Sequence, residues 1–374
     1  MRKGANPMAK GFAGWGNDLY TGKRSYQVVP KIRLWLIIAA GVVVICTLLL
    51  FKPGLQLGME FVGGTEFRVS GTDNTSQQPA ADVVRDVVGG ESAPKVTSLA
   101  AGGVRVQTSR LTAEQTQEIK VGLAEAYSVD TTDVSNQMVS ASWGADVSGK
   151  AARGAVIFLF LVALAMIAYF RNWAMAVSAI TALLHDLLVT VGVYAAVGFE
   201  VTPATLIGFL TVLGYSMYDT VVVFDKVREN TEGVLDQTKY TYGEAANLAV
   251  NQTMVRSINT SVVALLPVAA ILFIGLALLG PSSLQDISLA LFVGMAAGTY
   301  SSIFLATPLE VALRNRQPSI REHTTKVLTL RKAALEAGDD EGLGLAALSG
   351  LGAVKAGHHQ GQGAQPRRKP RADR

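Results

Sequence analysis

Six stretches of this chain are too long and too apolar to be ordinary core helices. They run over 34–51, 154–170, 174–197, 201–224, 257–279 and 287–309. At a rise of about 1.5 Å per residue, about 20 apolar residues cross a hydrocarbon core of about 30 Å. One such run could be a buried helix of a large soluble domain, but six leave too little polar sequence to cover them. Charged residues make up only 17% of the chain, against about 25% in soluble domains. The expectation is an α-helical polytopic membrane protein with six transmembrane helices. The first run follows a long polar stretch and is succeeded by Lys52-Pro53 without a small-x-small site, so it reads as a retained anchor, not a cleaved signal.

The distribution of Lys and Arg sets the orientation. Seven lie before residue 34, one at Arg171, four across 226–256 and twelve after 309, together 24 of the 33. If six spans alternate, all 24 fall on one side. The other nine lie in 52–153, and the short loops near Glu200 and Asp286 on that side carry none. Both termini are therefore expected on the cytoplasmic side. The organisation that follows is a cytoplasmic segment 1–33, a first span 34–51, an extracytoplasmic domain 52–153, a five-helix bundle 154–309 and a cytoplasmic basic tail 310–374.

Within 52–153 the pattern changes to that of a small α+β domain. Residues 65–70 alternate like a strand and 80–88 read as a short amphipathic helix. Strands over 95–99 and 104–109 follow, separated by Gly102-Gly103. Thr112 is placed to cap a helix to Tyr127, with Gln115 completing a capping box, and 134–142 reads as a last strand. The order β-α-β-β-α-β is that of the ferredoxin-like fold. No nucleophile, carboxylate pair or metal cluster stands out in it, which suits a contact or hinge module.

The tail has another character. Residues 334–374 are rich in Gly, Ala and Gln and close on Arg367-Arg368-Lys369-Pro370-Arg371, a composition unable to bury a core and expected to be disordered. Its charge suits a solvated tail beside membrane lipids, and no nucleic-acid partner is expected. His358-His359 reads as a loop pair and not a metal site. The single Cys46 lies inside an apolar run, which removes disulfide and thiol chemistry, and no Gly-x4-Gly-Lys-Ser/Thr phosphate loop occurs. The chain is not expected to be an enzyme or to hold a cofactor or metal.

Ionisable groups inside spans cost about 2.5–3.5 kcal/mol each at the centre on insertion scales, which makes them functional candidates. His185-Asp186 falls near the middle of the third span. Asp219 lies in the fourth, about 10 Å of helix from its cytoplasmic end, with Tyr215 one turn earlier on the same face. Asp225 closes that span and Arg256 opens the fifth at a depth similar to Asp219. A buried carboxyl beside an arginine can alternate between paired and protonated states, which is what a proton relay needs. The alternative is a static ion pair holding helices together. Gly208, Gly214 and Ser216 on the fourth span suit close helix packing.

The run Leu213-Gly214-Tyr215-Ser216-Met217-Tyr218-Asp219-Thr220, continuing through Asp225 to Asn230, closely resembles the signature of the SecF proteins. Three further stretches are similar to that family: Gly58-Met59-Glu60-Phe61-Val62-Gly63-Gly64 after the first span, Leu184-His185-Asp186, and Gln252 to Ser261 around Arg256. The resemblance covers roughly 30–315, with Glu60 in place of the usual Asp and with Met217-Tyr218 bulkier than is common before Asp219. It implies membership of the resistance-nodulation-division superfamily and pairing with SecD into a twelve-span unit in the bacterial cell membrane. It further implies work beside the SecYEG channel, with SecA and YajC as functional partners. There the proton-motive force would help a preprotein substrate through late export steps. Asp219 and Arg256 match the positions that the family links with proton movement. Two rival classes remain: half of a proton-driven exporter of small molecules or lipids, and a passive assembly subunit in which Asp219 would tolerate Asn.

Overall fold

The computed structural model describes residues 11–89, 94–99, 102–278 and 283–336, and all that follows concerns these residues. The basic end of the tail and His358-His359 lie outside them. The chain begins with helix α1 (Phe12–Tyr20) and enters the bundle through α2 (Ile32–Leu49). A short strand β1 (Gln56–Leu57) and helix α3 (Met59–Val62) lead into the α+β domain. That domain comprises β2 (Gly64–Val69), α4 (Gln78–Val88), β3 (Lys95–Ser98), β4 (Val104–Thr108), α5 (Ala113–Tyr127) and β5 (Val134–Val139). Long helices α6 (Ala141–Phe170) and α7 (Trp173–Val197) are followed by strand β6 (Glu200–Val201). The chain then forms α8 (Pro203–Thr231), α9 (Tyr242–Leu278), α10 (Ser283–Ser301), α11 (Thr307–Arg314) and α12 (Pro318–Glu336).

The α+β domain carries a four-stranded sheet in the order β3-β4-β2-β5, antiparallel throughout. Phe67, Val69, Val104 and Val106 point from one face onto α4 and α5, where Val84, Ile119 and Leu123 meet them, all fully buried. Thr112 and Gln115 cap α5 reciprocally: the Gln115 amide N donates to the Thr112 hydroxyl at 3.2 Å, and the Thr112 amide N donates to the Gln115 carboxamide at 3.0 Å. The strand expected over 134–142 stops at Val139. Ser140 takes an extended conformation, and its hydroxyl accepts the Trp143 amide at 3.2 Å, starting a helix well before the apolar run begins at 154.

Six helices are long and apolar enough to cross a membrane: Val29–Gly54, Ser142–Phe170, Trp173–Val197, Pro203–Asp236, Tyr242–Gly275 and Leu284–Arg314. They differ in what surrounds them. The helices of the second and first spans leave Ile37, Val44, Ile45, Val156, Ile157 and Phe160 exposed, a surface that only lipid or another protein can cover. Helices α7, α8 and α10 form the buried centre.

Helices α8 and α10 approach at four-residue intervals. A side chain added at Gly208 would reach the Ala290 Cβ at 3.0 Å, one at Gly294 would enter the Val212 side chain, and one at Gly298 would meet the Ser216 Cβ at 2.8 Å. Small residues thus let two backbones come within a methyl group of each other along the whole contact. Gly214, expected in this contact, meets nothing within 4 Å, because it lies off the facing stripe.

Two further expectations change. The polar loop expected over 226–256 is mostly helix, since α8 extends to Thr231 and α9 starts at Tyr242. The Asn side chains on this added length of α9 hold the entering chain. Asn247 Oδ1 accepts the amides of Val28 and Val29 at 3.0 and 3.1 Å, and Asn251 Oδ1 accepts that of Tyr26 at 2.7 Å. The expected tail 310–374 opens on helices α11 and α12, and α12 is tied back by Arg331, whose guanidinium binds Glu244 at 2.7 Å.

Candidate functional site

Asp186 on α7 and Asp219 on α8 are 0% and 6% exposed, in the middle of two of the three helices that form the buried centre. A carboxylate there has lost its water and must find donors in the protein. Asp186 takes three: Ser216 of α8 donates at 2.5 Å, Ser301 at the end of α10 donates at 2.7 Å, and His185 Nδ1 lies at 3.1 Å. Asp219 takes two, from Ser257 of α9 at 2.7 Å and from Ser302. Ser216 and Asp219 lie on one face of α8, three residues apart, so that helix turns a hydroxyl to one carboxyl and presents the other itself.

The neighbouring serines 301 and 302 bind different carboxyls because the helix changes its winding there. Residues Ser302–Ala306 form a π-turn between α10 and α11. The locally wider spiral keeps two consecutive side chains on the interior, one toward α7 and the other toward α8.

Both serines have a second acceptor. Ser301 Oγ reaches the Gly298 carbonyl at 3.2 Å, and Ser302 Oγ reaches the Thr299 carbonyl at 3.1 Å. Each hydroxyl can therefore donate to its carboxylate, or accept from the protonated acid while donating to the backbone. The same heavy-atom positions satisfy both charge states. Among the described residues no lysine or arginine pairs with either carboxyl. His185 Nε2, Thr220 Oγ1 and Ser178 Oγ remain buried without a hydrogen-bond partner.

The expected residues separate into those inside this cage and those outside. His185, Asp186, Ser216 and Asp219 are brought together, and Thr220 is buried beside them. Arg256 is not. Its neighbour Ser257 faces Asp219, and one residue along a helix turns the direction by about 100°, which sends the guanidinium outward. It ends 3.5 Å from the Tyr218 hydroxyl and lines an open polar cleft of about 790 Å³ with Asn17, Lys226 and Asn259. The Asp219–Arg256 pair expected from the sequence does not form. Tyr215 donates to the Thr260 carbonyl at 3.1 Å and not to Asp219. Asp225 is exposed and accepts the Tyr169 hydroxyl of α6 at 2.8 Å. Ser301 and Ser302 escaped the sequence reading, although two adjacent hydroxyls inside the apolar run 287–309 were a visible signal.

The glycine motif serves a second place, where the α+β domain meets the bundle. The Gly58 amide donates to the Val201 carbonyl at 2.8 Å, extending a short parallel pairing of β1 with β6. Gly63 has φ +77° and Gly64 φ +149°, and a side chain at Gly64 would strike the Thr108 carbonyl at 2.6 Å. Only glycine turns the chain into β2 there. Glu200 then receives Lys95 Nζ at 2.7 Å and stands 3.6 Å from Arg105, which binds Glu66 at 2.7 Å. Burial opposes the Glu200 carboxylate, but the hydrogen bond and charge of Lys95, the Arg105 charge and the Gln107 amide outweigh it and hold the group below the usual carboxylate range. Burial likewise opposes the Arg105 cation, and the charges of Glu66, Glu200 and Glu60 overcome it, raising its proton affinity. Glu60 itself contributes through that field.

Comparison with known proteins places this arrangement. Residues 119–316 match the family described as protein export membrane protein SecD/SecF, C-terminal. The chain is 42% identical to the protein translocase subunit SecF of Mycobacterium tuberculosis over 86% of its own length and 75% of that protein. It is 42% identical to the protein translocase subunit SecF of Streptomyces coelicolor over 87% of its length and 86% of that protein. Among solved structures it resembles SecDF of Thermus thermophilus, a translocon-associated membrane protein, with a TM-score of 0.69 and 28% identity. The match covers 79% of this chain and 39% of that one, so the chain spans well under half of SecDF.

Proposed function

This multi-pass membrane chain belongs to the SecF family of protein translocase subunits, and from that premise we propose that it couples proton movement to preprotein export through Asp186 and Asp219. It sits in the bacterial cell membrane with both termini in the cytoplasm, a reading that the charge bias over its loops supports. The α+β domain, whose strand order suits a ferredoxin-like module, faces the outside. SecD supplies the other half of the unit, and SecYEG, SecA and YajC act with it on the emerging preprotein. The protein does this without covalent chemistry.

The observation that carries this reading is the hydroxyl cage. Two buried carboxyls share five hydrogen-bond partners, and at least two of those partners can reverse direction without a heavy atom moving. A proton can therefore arrive and leave without breaking an ion pair. Each proton crossing 100 mV releases about 2.3 kcal/mol, so a few suffice to reorganise an interface of modest stability. Because Ser301 and Ser302 join α10 to α7 and α8 at once, a change in their donor direction acts on three helices. Motion at α7 and α8 reaches the outer domain through β6 and Glu200, where Lys95 and Arg105 are anchored.

The test is a pulse-chase of a secreted preprotein in cells depleted of this protein and rescued with wild type or Asp219→Asn. Wild type is expected to restore export. Asn, which keeps the shape and hydrogen bonding but cannot titrate, is expected to leave it at the depleted rate. Full rescue by Asn would make the chain a passive subunit, and export indifferent to depletion would turn attention to small-solute transport.

A further inference from the structure

A third carboxyl is buried in the bundle, outside the cage. Glu310 of α11 is 0% exposed. Its Oε1 accepts the Tyr242 hydroxyl of α9 at 2.6 Å, and its Oε2 has no hydrogen-bond partner. The charged and titratable groups that face it are Tyr242 from α9 and Arg314 from its own helix. The Arg314 Nε stands at 3.8 Å without a hydrogen bond of its own, while the guanidinium lies 5.3 Å over the Tyr242 ring and reaches out to Gln317 at 2.8 Å. A carboxyl with one hydrogen-bonded oxygen, paired with a cation at 3.8 Å that makes no hydrogen bond to it, is only loosely held as a static ion pair. It is well built to exist both protonated and ionised, since a small approach of Arg314 would favour the ion.

Its position follows from the chain. Ser302, the partner of Asp219, lies eight residues before Glu310, about 12 Å along the helix and toward the end where α12 sits. Between them, on the same helical run, the Thr307 hydroxyl is fully buried without a partner, and so is Ser178 on α7, which packs against α11. Unpartnered buried hydroxyls in an interior are where bridging water binds. After Glu310 the next ionisable group on α11, Arg314, is already part-exposed.

Building on the proton-coupling role of Asp219, we propose that Glu310 is the cytoplasm-side proton acceptor of this bundle. A proton leaves the Asp219 carboxylic acid, giving the carboxylate. It passes through water held at Thr307 and Ser178 and forms the Glu310 acid. Glu310 releases it to cytoplasmic water past Arg314 and returns to carboxylate. Tyr242 fixes the orientation of the acceptor.

The experiment uses the full-length chain with its partners in everted membrane vesicles, comparing wild type, Asp219→Asn, Glu310→Gln, Glu310→Asp and Tyr242→Phe. The rate of preprotein completion is followed as the pH on the cytoplasmic side is varied across the neutral range. Glu310→Gln is expected to accumulate normally and to slow completion by about tenfold, with its pH dependence flattened. Glu310→Asp is expected to retain most of the rate and the wild-type profile. A purely structural Glu310 would leave the shape of the profile unchanged. The relay is overturned if Glu310→Gln matches wild type in rate and profile while Asp219→Asn fails, which leaves proton coupling intact. Wild-type behaviour of Asp219→Asn would remove proton coupling and the relay together. Where Glu310→Gln does not accumulate, Tyr242→Phe decides. It keeps the carboxyl but removes its donor, and is expected to displace the profile by about one pH unit. No displacement overturns the proposal.

Discussion

Carboxylates gather in two places in this molecule, and they are held in opposite ways. In the membrane core, Asp186 and Asp219 are surrounded by serine hydroxyls and a histidine, with no lysine or arginine paired to them among the described residues. At the junction with the α+β domain, Glu200 and Glu66 are gripped by Lys95 and Arg105. A hydroxyl donates or accepts, so a carboxyl caged by hydroxyls has two satisfied charge states. An ammonium or guanidinium only donates, so a carboxyl beside one is fixed as the anion. Under the proposed function the core changes its proton count while the junction keeps its own. Coupling the two needs nothing more than the mechanical path along α7, β6 and α8.

The largest way to break this contrast is to separate α10 from α8. A valine at Gly298 would drive into Ser216, which a Cβ there already approaches to 2.8 Å. Overpacking of this kind costs about 1–3 kcal/mol. It should also pull Ser301 away from Asp186, so Gly298→Val is expected to abolish export while the α+β domain keeps its protease resistance. Loss of both together would mean general unfolding and not a broken cage.

A smaller effect should come from the junction. Glu200→Gln removes the charge that Lys95 and Arg105 share, worth about 1 kcal/mol for a partly buried pair. Export is expected to fall by less than about twofold, while hydrogen exchange at β1, β6 and β3 rises. The pH dependence has a definite sign. The folded state holds the Glu200 proton affinity below its ordinary value, so its stabilisation is complete at neutral pH and is lost only as pH falls through that depressed range. Acid should therefore loosen the wild-type junction, and Glu200→Gln should be loose already and insensitive. An equal acid response in both would remove Glu200 from the latch.

Much of this was legible in the sequence, and the failures are instructive. The six spans followed from the length of apolar runs, and the capping box at Thr112 and Gln115 from local chemistry. Both rest on short-range physics. What failed depended on rotation about a helix axis. Depth alone pairs Asp219 with Arg256, but depth ignores azimuth, and Ser257 one residue on takes the place beside the carboxyl. Ser301 and Ser302 were passed over because two neighbours on a regular helix cannot both face inward, and the π-turn that lets them do so leaves no mark in composition. Glu310 was missed because it closes an apolar run, where a charge reads as the start of solvent, whereas α11 stays packed against the bundle there and Tyr242 of α9 covers the carboxyl.

Infrared difference spectroscopy of the full-length protein with its partner subunit in membranes, titrated across pH, reads the charge state of the caged carboxyls, and Asp219→Asn isolates the contribution of Asp219. A carboxylic C=O band should appear and vanish with pH in wild type, move in frequency in Ser302→Ala, and be missing in Asp219→Asn. Identical titration spectra for wild type and Asp219→Asn would contradict an exchangeable proton at this site.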